Sequence, residues 1–584
     1  MKNLSVYLIA AACSFSPLFA SGTALLDSKA RFHPVISETG MVVSQEIIAS
    51  QVGADILSAG GNAVDAAVAT GFALAVTLPR AGNLGGGGFM LVHLAEADKT
   101  IAIDYREMAP DEAHRDMFLD LEGDVDNNKA RYSIESSGVP GTVAGLIHAQ
   151  EKYGLLKLKQ VMQPAIALAR GGFAVSADLS DSLKSRSQRL QQDSASKVYF
   201  YKPGGDSYEL GETLIQTELG ATLARIANGG REEFYQGKTA DLIVAQMEAS
   251  GGLISHQDLV NYQVVERQPV CGDYKKTRVC TMPPPSSGGV HLVQMLNILE
   301  GWDLKGLGHN SADYIHRLVE SMRRAYADRS LYLGDPDFFP VPVAQLTDKK
   351  YATVLRDQID PLRSSRSVNI KPGLGETGLS PQATKESTET THFSTWDQWG
   401  NVVSNTYTLN FSYGSGISVT GAGFLLNNEM DDFSSKPGSP NGYGLVGGIA
   451  NSIEPGKRPL SSMTPTIAFD AGGKPILATG TPGGSTIITI NMQLLLNVVE
   501  FGMGVAEATA APRIHHQWLP DMVFYESGIS VDTLNRLKDM GHRVNDQASR
   551  LGATQSIQRK AGTRLFGASD YRREGSGAIP QAQQ

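Results

Sequence analysis

Glu389-Thr390-Thr391-His392-Phe393-Ser394, followed by Thr408-Leu409-Asn410, is the stretch on which the reading of this chain turns. Upstream, residues 360–387 are polar, broken by Pro and Gly, and carry no sustained apolar period. Downstream the pattern changes at once to the alternation of β-strands, Phe393-Ser-Thr-Trp and 401–409, around a turn at Gly400. A Glu-Thr-Thr run on its own reads as an ordinary strand edge. It acquires a second meaning if the backbone is cut before Thr390. A threonine at a new N-terminus carries its own general base, because an α-amine has a pKa of about 7.7–8.0, close to ambient pH.

Composition narrows the field. The chain has 584 residues, 41% hydrophobic and 19% charged, with a net charge of −9, which suits a large globular core. The acidic balance and the lack of a basic cluster argue against nucleic acid as a partner. Lys2, the apolar run from Leu4 to Ala12 and the small residues Gly22-Thr23-Ala24 (or Ala20) read as an export signal over residues 1–24. The mature chain is therefore expected to be exported, periplasmic or secreted, with no membrane span. Cys271 and Cys280 flank β-prone sequence around Gly272-Asp273, and a hairpin there would make either a disulfide or two isolated thiols.

Several motifs fall away. Gly442-Tyr443-Gly444-Leu445-Val446-Gly447 has the G-x-G-x-x-G spacing, but neither a strand before it nor a helix after it. There is no P-loop, no H-E-x-x-H and no G-x-S-x-G elbow. Adjacent His515 and His516 do not face one ion and are expected to cover a surface. No metal or organic cofactor is called for.

Along the chain, residues 45–78 read as helix broken at Gly60-Gly61 and restarted by Asn62 as an N-cap. Asn83 to Gly88 is a glycine-rich loop opening into strands at 89–94 and 100–105. Helices follow over 140–171, 290–299, 311–331 and 486–501, and a further hairpin turns at Gly472-Gly473. The tail after Arg573 reads as disordered. Strands drawn from both halves, flanked by helices, point to two sheets packed face to face with helices outside.

The ordered set of motifs resembles the γ-glutamyltranspeptidase family. Thr390-Thr391-His392-Phe393-Ser394, Thr408-Leu409-Asn410, Leu426 to Phe433, Arg458 to Met463 and Gly480 to Gly484 carry the likeness in the second half. Asn83 to Phe89, Asp104 to Pro110, Gly138 to Gly141 and Pro283 to Gly289 carry it in the first. The resemblance implies an α+β, four-layer αββα sandwich of the N-terminal nucleophile hydrolase type. It also implies a precursor that cuts itself at Glu389–Thr390 into residues 25–389 and 390–584, which stay together as a heterodimer forming one globular domain. Thr390 would be the nucleophile, Thr408 its hydrogen-bonding orienter, and Gly483 and Gly484 the oxyanion donors. Arg106, Ser461 and Ser462 would hold the donor's α-carboxylate, and Asn410, Glu429 and Asp432 its α-ammonium. Asp431 would be structural, and residues 437–448, with Tyr443, would form a lid. The implied substrates are γ-glutamyl donors such as glutathione, with water, amino acids or dipeptides as acceptors. Two rivals stand beside this reading: an acylase removing a glutaryl-type side chain, and an exported binding protein that never matures.

Overall fold

The computed structural model describes residues 32–375, 389–560 and 562–582, so the export segment lies outside the described residues. Two seven-stranded antiparallel sheets form the centre. The first runs, edge to edge, through Gly577–Pro580, Met41–Ser44, Thr391–Trp396, Val402–Thr408, Gly87–Leu94, Lys99–Tyr105 and Val265–Arg267. The second runs through Val35–Ser37, Leu565–Ser569, Gln555–Arg559, Pro475–Thr479, Thr466–Phe469, Thr277–Thr281 and Val270–Tyr274.

The period-2 alternation of side chains explains the layering. In the first sheet Met41, Val43, Phe89, Leu91, Trp396 and Val402 turn inward, against Ile467, Phe469, Ala478, Ile557 and Leu565 of the second. Their neighbours Val42, Met90, Val92, Phe393 and Val403 turn outward, under the helices Ile47–Ser58, Ala63–Thr77, Thr142–Tyr153 and Leu158–Gly171. In the second sheet Ala468, Leu477, Phe566 and Ala568 face the helices Gly288–Leu299, Ala312–Tyr332 and Ile487–Val499. The result is the four-layer αββα sandwich expected from the motifs.

Local chemistry fixes these elements. Asn62 caps the helix Ala63–Thr77, accepting from the backbone N–H groups of Val64 (2.9 Å) and Asp65 (3.0 Å), while Asp65 accepts from Asn62 N–H at 2.8 Å. Every residue of that helix is buried, and its alanines let it lie close against both the sheet and the neighbouring Ile47–Ser58 helix.

The structure differs from the sequence reading in three places. The cysteine hairpin turns at Lys275-Lys276, with Lys275 at φ +54°, so Gly272 and Asp273 lie inside a strand. That register sets Cys271 directly opposite Cys280, and the two form a disulfide. His515 and His516 are buried rather than surface residues. His515 bonds Thr489 and Gln517, His516 bonds Asp521, and burial depresses both imidazoles, to about 3 and about 4. Residues 574–582, expected to be disordered, include the strand Gly577–Pro580, which adds an edge to the first sheet through Met41–Ser44.

Candidate active site

The pairing Thr391↔Tyr407 through Trp396↔Val402 brings Thr390 opposite Thr408 at the end of the two central strands. Side-chain parity then decides where the hydroxyl points. Thr390 shares its face with His392, Ser394 and Trp396, and Ser394 reaches the second sheet by donating to Gln555 O at 2.9 Å. Thr390 thus faces the space between the sheets and lines a cavity there. Thr390 Oγ1 donates to the carbonyl oxygen of Glu389 at 2.6 Å. Thr408 Oγ1 lies 3.4 Å from both Thr390 Oγ1 and that same carbonyl oxygen. Asn410 N–H donates to Thr408 Oγ1 at 2.9 Å, which fixes the hydroxyl rotor.

The residue before the cut is held just as firmly. The Glu389 carboxylate accepts from Arg80 at 2.5 Å and Arg573 at 3.3 Å, and Asp178 completes the cluster 2.9 Å from Arg80. Burial pushes the Glu389 carboxyl upward, but the two guanidiniums outweigh it and hold the group below the ordinary range.

One wall of the cavity is a buried array of charge. Arg106 follows the strand Lys99–Tyr105 and is fully buried; it pairs with Glu429, with Asp432 at 2.5 Å and with Glu107 at 3.5 Å. Its Nε donates to Pro459 O at 3.1 Å. Burial raises the carboxyls of Glu107, to about 7, and of Glu429, whose acidic neighbours add to the effect while Arg106 opposes it. Glu429 Oε2 and Asn410 Oδ1 are buried acceptors with no hydrogen-bond partner among the described residues. The Arg458–Met463 segment is locked beside them. Arg458 donates to Asp104 at 2.6 Å, Ser461 N–H donates to Pro285 O at 2.8 Å, and Ser461 O accepts from Ser287 N–H at 2.8 Å.

Tyr443, Leu445 and Gly484 complete the lining of the cavity. Tyr443 donates to Asn410 O at 2.8 Å and packs edge-on against Phe411, so the loop over residues 437–448 lies down on the site. Asp431 accepts from Gly442 N–H at 2.9 Å and pairs with Arg131. Gly483 (φ +140°) and Gly484 (φ +55°) take backbone angles that a Cβ would strain, turning the chain into the helix Ile487–Val499. Gly484 lines the cavity and Gly483 lies one residue behind it. In the uncut chain the free space here is about 20 Å³, room for a water molecule but not for a glutamyl group.

Apart from Gly483, every residue assigned a site role by resemblance lines this one cavity. Sequence reasoning missed Arg329, Glu107 and the Arg80–Arg573 pair. For Arg329 a signal existed: Arg323 and Arg324 have Glu320 three and four residues before them on the same helix, whereas Arg329 has no acid at either spacing. Among the described residues one group, His316, Glu320 and His542, has the composition of a metal site. Its ligand atoms are already committed: His316 and His542 bond each other at 2.7 Å, and Glu320 pairs with Arg323 and Arg324.

An αββα sandwich with a threonine opening a central strand, its hydroxyl on the preceding carbonyl, defines an N-terminal nucleophile hydrolase. The Gamma-glutamyltranspeptidase family model matches residues 49–579, and the chain belongs to that family. It is 52% identical over 542 residues to the glutathione hydrolase proenzyme of Escherichia coli (strain K12), covering 93% of this chain and 92% of that protein. It is 45% identical over 549 residues to the glutathione hydrolase proenzyme of Pseudomonas sp. (strain A14), covering 92% of this chain and 94% of that one. Among solved structures, cephalosporin acylase from Bacillus halodurans aligns with a TM-score of 0.81 at 27% identity, over 97% of this chain and all of that one.

Proposed function

We propose that this chain is the exported precursor of a γ-glutamyltransferase and glutathione hydrolase, which matures by cutting itself between Glu389 and Thr390. The products are a large subunit, residues 25–389, and a small subunit from Thr390 onward. In maturation Thr390 Oγ attacks the Glu389 carbonyl carbon and the peptide C–N bond breaks. The acyl group passes to the oxygen as an ester while the nitrogen takes the hydroxyl proton and becomes the free α-amine. Water then hydrolyses the ester to the Glu389 carboxylate and the Thr390 hydroxyl. Thr408 donates toward the carbonyl oxygen as charge builds on it. In turnover that amine takes the hydroxyl proton, and Thr390 Oγ attacks the γ-carbonyl of the donor. The amine leaving group departs protonated, and water or an acceptor amine resolves the γ-glutamyl ester. Gly483 and Gly484 supply backbone N–H groups for the oxyanion in both halves.

One observation carries this reading. Beside the nucleophile stand two buried acceptors lacking donors, Asn410 Oδ1 and Glu429 Oε2, together with the Asp432 carboxylate. An α-ammonium supplies the missing donors, and Ser461, Ser462 and Arg106 stand on the α-carboxylate side. A glutaryl side chain has no α-amine and would leave those acceptors unmatched, which weighs against the acylase. Release of the anilide from a γ-glutamyl anilide, with and without a dipeptide acceptor, tests the reading. The wild type should appear as two chains on a denaturing gel, the smaller beginning at Thr390, and Thr390→Ala as one uncut, inactive chain. Self-cleavage in the alanine variant would refute the assigned nucleophile.

A further inference from the structure

The space between the two sheets has a second mouth. The strand Val402–Thr408 ends beside Thr390 and begins at Val402, opposite His93, so its far end lies about 20 Å from the nucleophile. A cavity of about 440 Å³ opens there, lined by both cysteines of the bridge and by Asp98, Lys99 and Arg278. Both cysteines belong to the apolar layer between the sheets. Cys280, on the inner strand Thr277–Thr281, is 2% exposed, whereas Cys271 is partly exposed on Val270–Tyr274, the edge strand of its sheet. Among the described residues no strand pairs with that edge, so Cys271 carries the sulfur that an incoming group can approach from the side away from Cys280. Arg278 lies two residues before Cys280 and shares its strand face, which sets the guanidinium on the cavity side of the bridge. Among the described residues Asp98, Lys99 and Arg278 form no ion pair, although Asp273 stands directly opposite Arg278 in the hairpin.

We propose that this cavity is a thiol-exchange site, in which a small carboxylate-bearing thiol opens the Cys271–Cys280 bridge. Lys99 and Arg278 receive the carboxylate. The ligand's thiolate attacks Cys271 Sγ, a new S–S bond forms there, and the Cys271–Cys280 bond breaks. Cys280 departs with the electron pair as a thiolate, which the neighbouring Arg278 stabilises until it takes a proton. A second thiol attacking the ligand sulfur of the mixed disulfide frees Cys271, so two thiols are oxidised to one disulfide and the bridge is reduced to two thiols. Regiochemistry follows from the sheet: the edge sulfur is attacked and the inner one leaves. Glutathione and the cysteinyl dipeptide it releases are both thiols of this class, but the site does not depend on the γ-glutamyl reading.

The test exposes the native wild-type protein to 3-mercaptopropanoate or to 2-mercaptoethanol at matched thiolate concentration. Acid quenching, alkylation in denaturant and a count of labelled cysteines then give the rate at which the bridge opens. The carboxylate-bearing thiol should be at least about fivefold faster, an advantage that shrinks with added salt. In the double variant Lys99→Gln with Arg278→Gln, both changes at exposed side chains, that advantage should fall below about twofold. Equal rates for the two thiols, as expected if the bridge reacts only after the protein unfolds, would overturn the proposal. So would a native bridge inert to both. The order of attack is read from the single variants treated with 3,3′-dithiodipropanoate: by intact mass, Cys280→Ser should gain one mercaptopropanoate at Cys271, and Cys271→Ser none in the same time. Equal labelling of the two would refute attack at the edge sulfur; if either variant does not fold, the wild-type rates still decide.

Discussion

Glu389 contributes its carbonyl carbon to self-cleavage, and its side chain is what holds that carbonyl in place. The carboxylate is 12% exposed and gripped by Arg80 at 2.5 Å and Arg573 at 3.3 Å, two residues nearly 500 positions apart in the chain. Replacing Glu389 by Ala removes the grip yet leaves Arg80 paired with Asp178 at 2.9 Å, so no buried guanidinium is stranded. Breaking a buried pair outright costs about 3–5 kcal/mol, and the retained Asp178 contact keeps this variant below that. What is lost is alignment of the carbonyl under the Thr390 hydroxyl, now 2.6 Å from its oxygen. A misplacement of about 1 Å costs roughly 10²-fold in rate, or about 2.7 kcal/mol of barrier. Glu389→Gln keeps the hydrogen bonds without the charge and should fall between. Freshly purified precursor sampled over time on a denaturing gel gives the first-order rate directly. Glu389 is not part of the nucleophile's subunit, so activity per cleaved chain should match wild type. An alanine variant that matures within about threefold of the wild-type half-time would show that the clamp does not position the bond.

Other outcomes follow from the same geometry. Thr408→Val removes the hydroxyl 3.4 Å from the Glu389 carbonyl oxygen, and loss of such a donor should slow maturation about 10²-fold on the same gel assay; an unchanged rate would leave Thr408 a packing residue. Burial raises Glu107 to about 7, so its protonated form is favoured in the folded state; stability is fully present at low pH and lost as pH rises through about 7. Between about pH 4.5 and 7 stability should fall by about 1.4 kcal/mol per pH unit and then level off, and Glu107→Gln should gain Tm over its parent across that window, with a constant gain above it, when both are measured in the uncut Thr390→Ala background. A pH-independent difference would contradict the shift. The Cys271–Cys280 bridge closes a loop with a sequence separation of 9, so Cys271→Ser with Cys280→Ser should lower unfolding free energy by about 2.5 kcal/mol in a denaturant titration.

Much of this was legible because its causes are local. Asn62 and Asp65 specify their own helix start, and alternation around Gly400 specifies the central hairpin, whose register then opposes Thr390 to Thr408. What escaped depends on contacts between distant segments. Nothing near Arg329 in sequence says that it meets Ser287 and Ser462, and nothing near Glu389 says that Arg80 and Arg573 await it. Gly577–Pro580 is too short and too plain to read as a strand; the unpaired edge of Met41–Ser44 makes it one. His515 and His516 read as surface because two adjacent imidazoles look polar, but the fold offers Thr489, Gln517 and Asp521 as partners.

The strand orders have a kinetic consequence. Once the bond before Thr390 is broken, five of the twelve neighbouring strand pairs in the two seven-stranded sheets, among the described residues, join one subunit to the other: Gly577–Pro580 to Met41–Ser44, Met41–Ser44 to Thr391–Trp396, Val402–Thr408 to Gly87–Leu94, Val35–Ser37 to Leu565–Ser569, and Thr466–Phe469 to Thr277–Thr281. The pieces cannot separate without unzipping backbone ladders in both sheets, so the native dimer persists. Regaining it after denaturation is another matter, because a tethered, unimolecular search has become a second-order encounter between two fragments, each missing strands that its sheets require. Maturation thus works as a ratchet, and the refolding yield of the cleaved protein should rise with concentration while that of uncut Thr390→Ala does not.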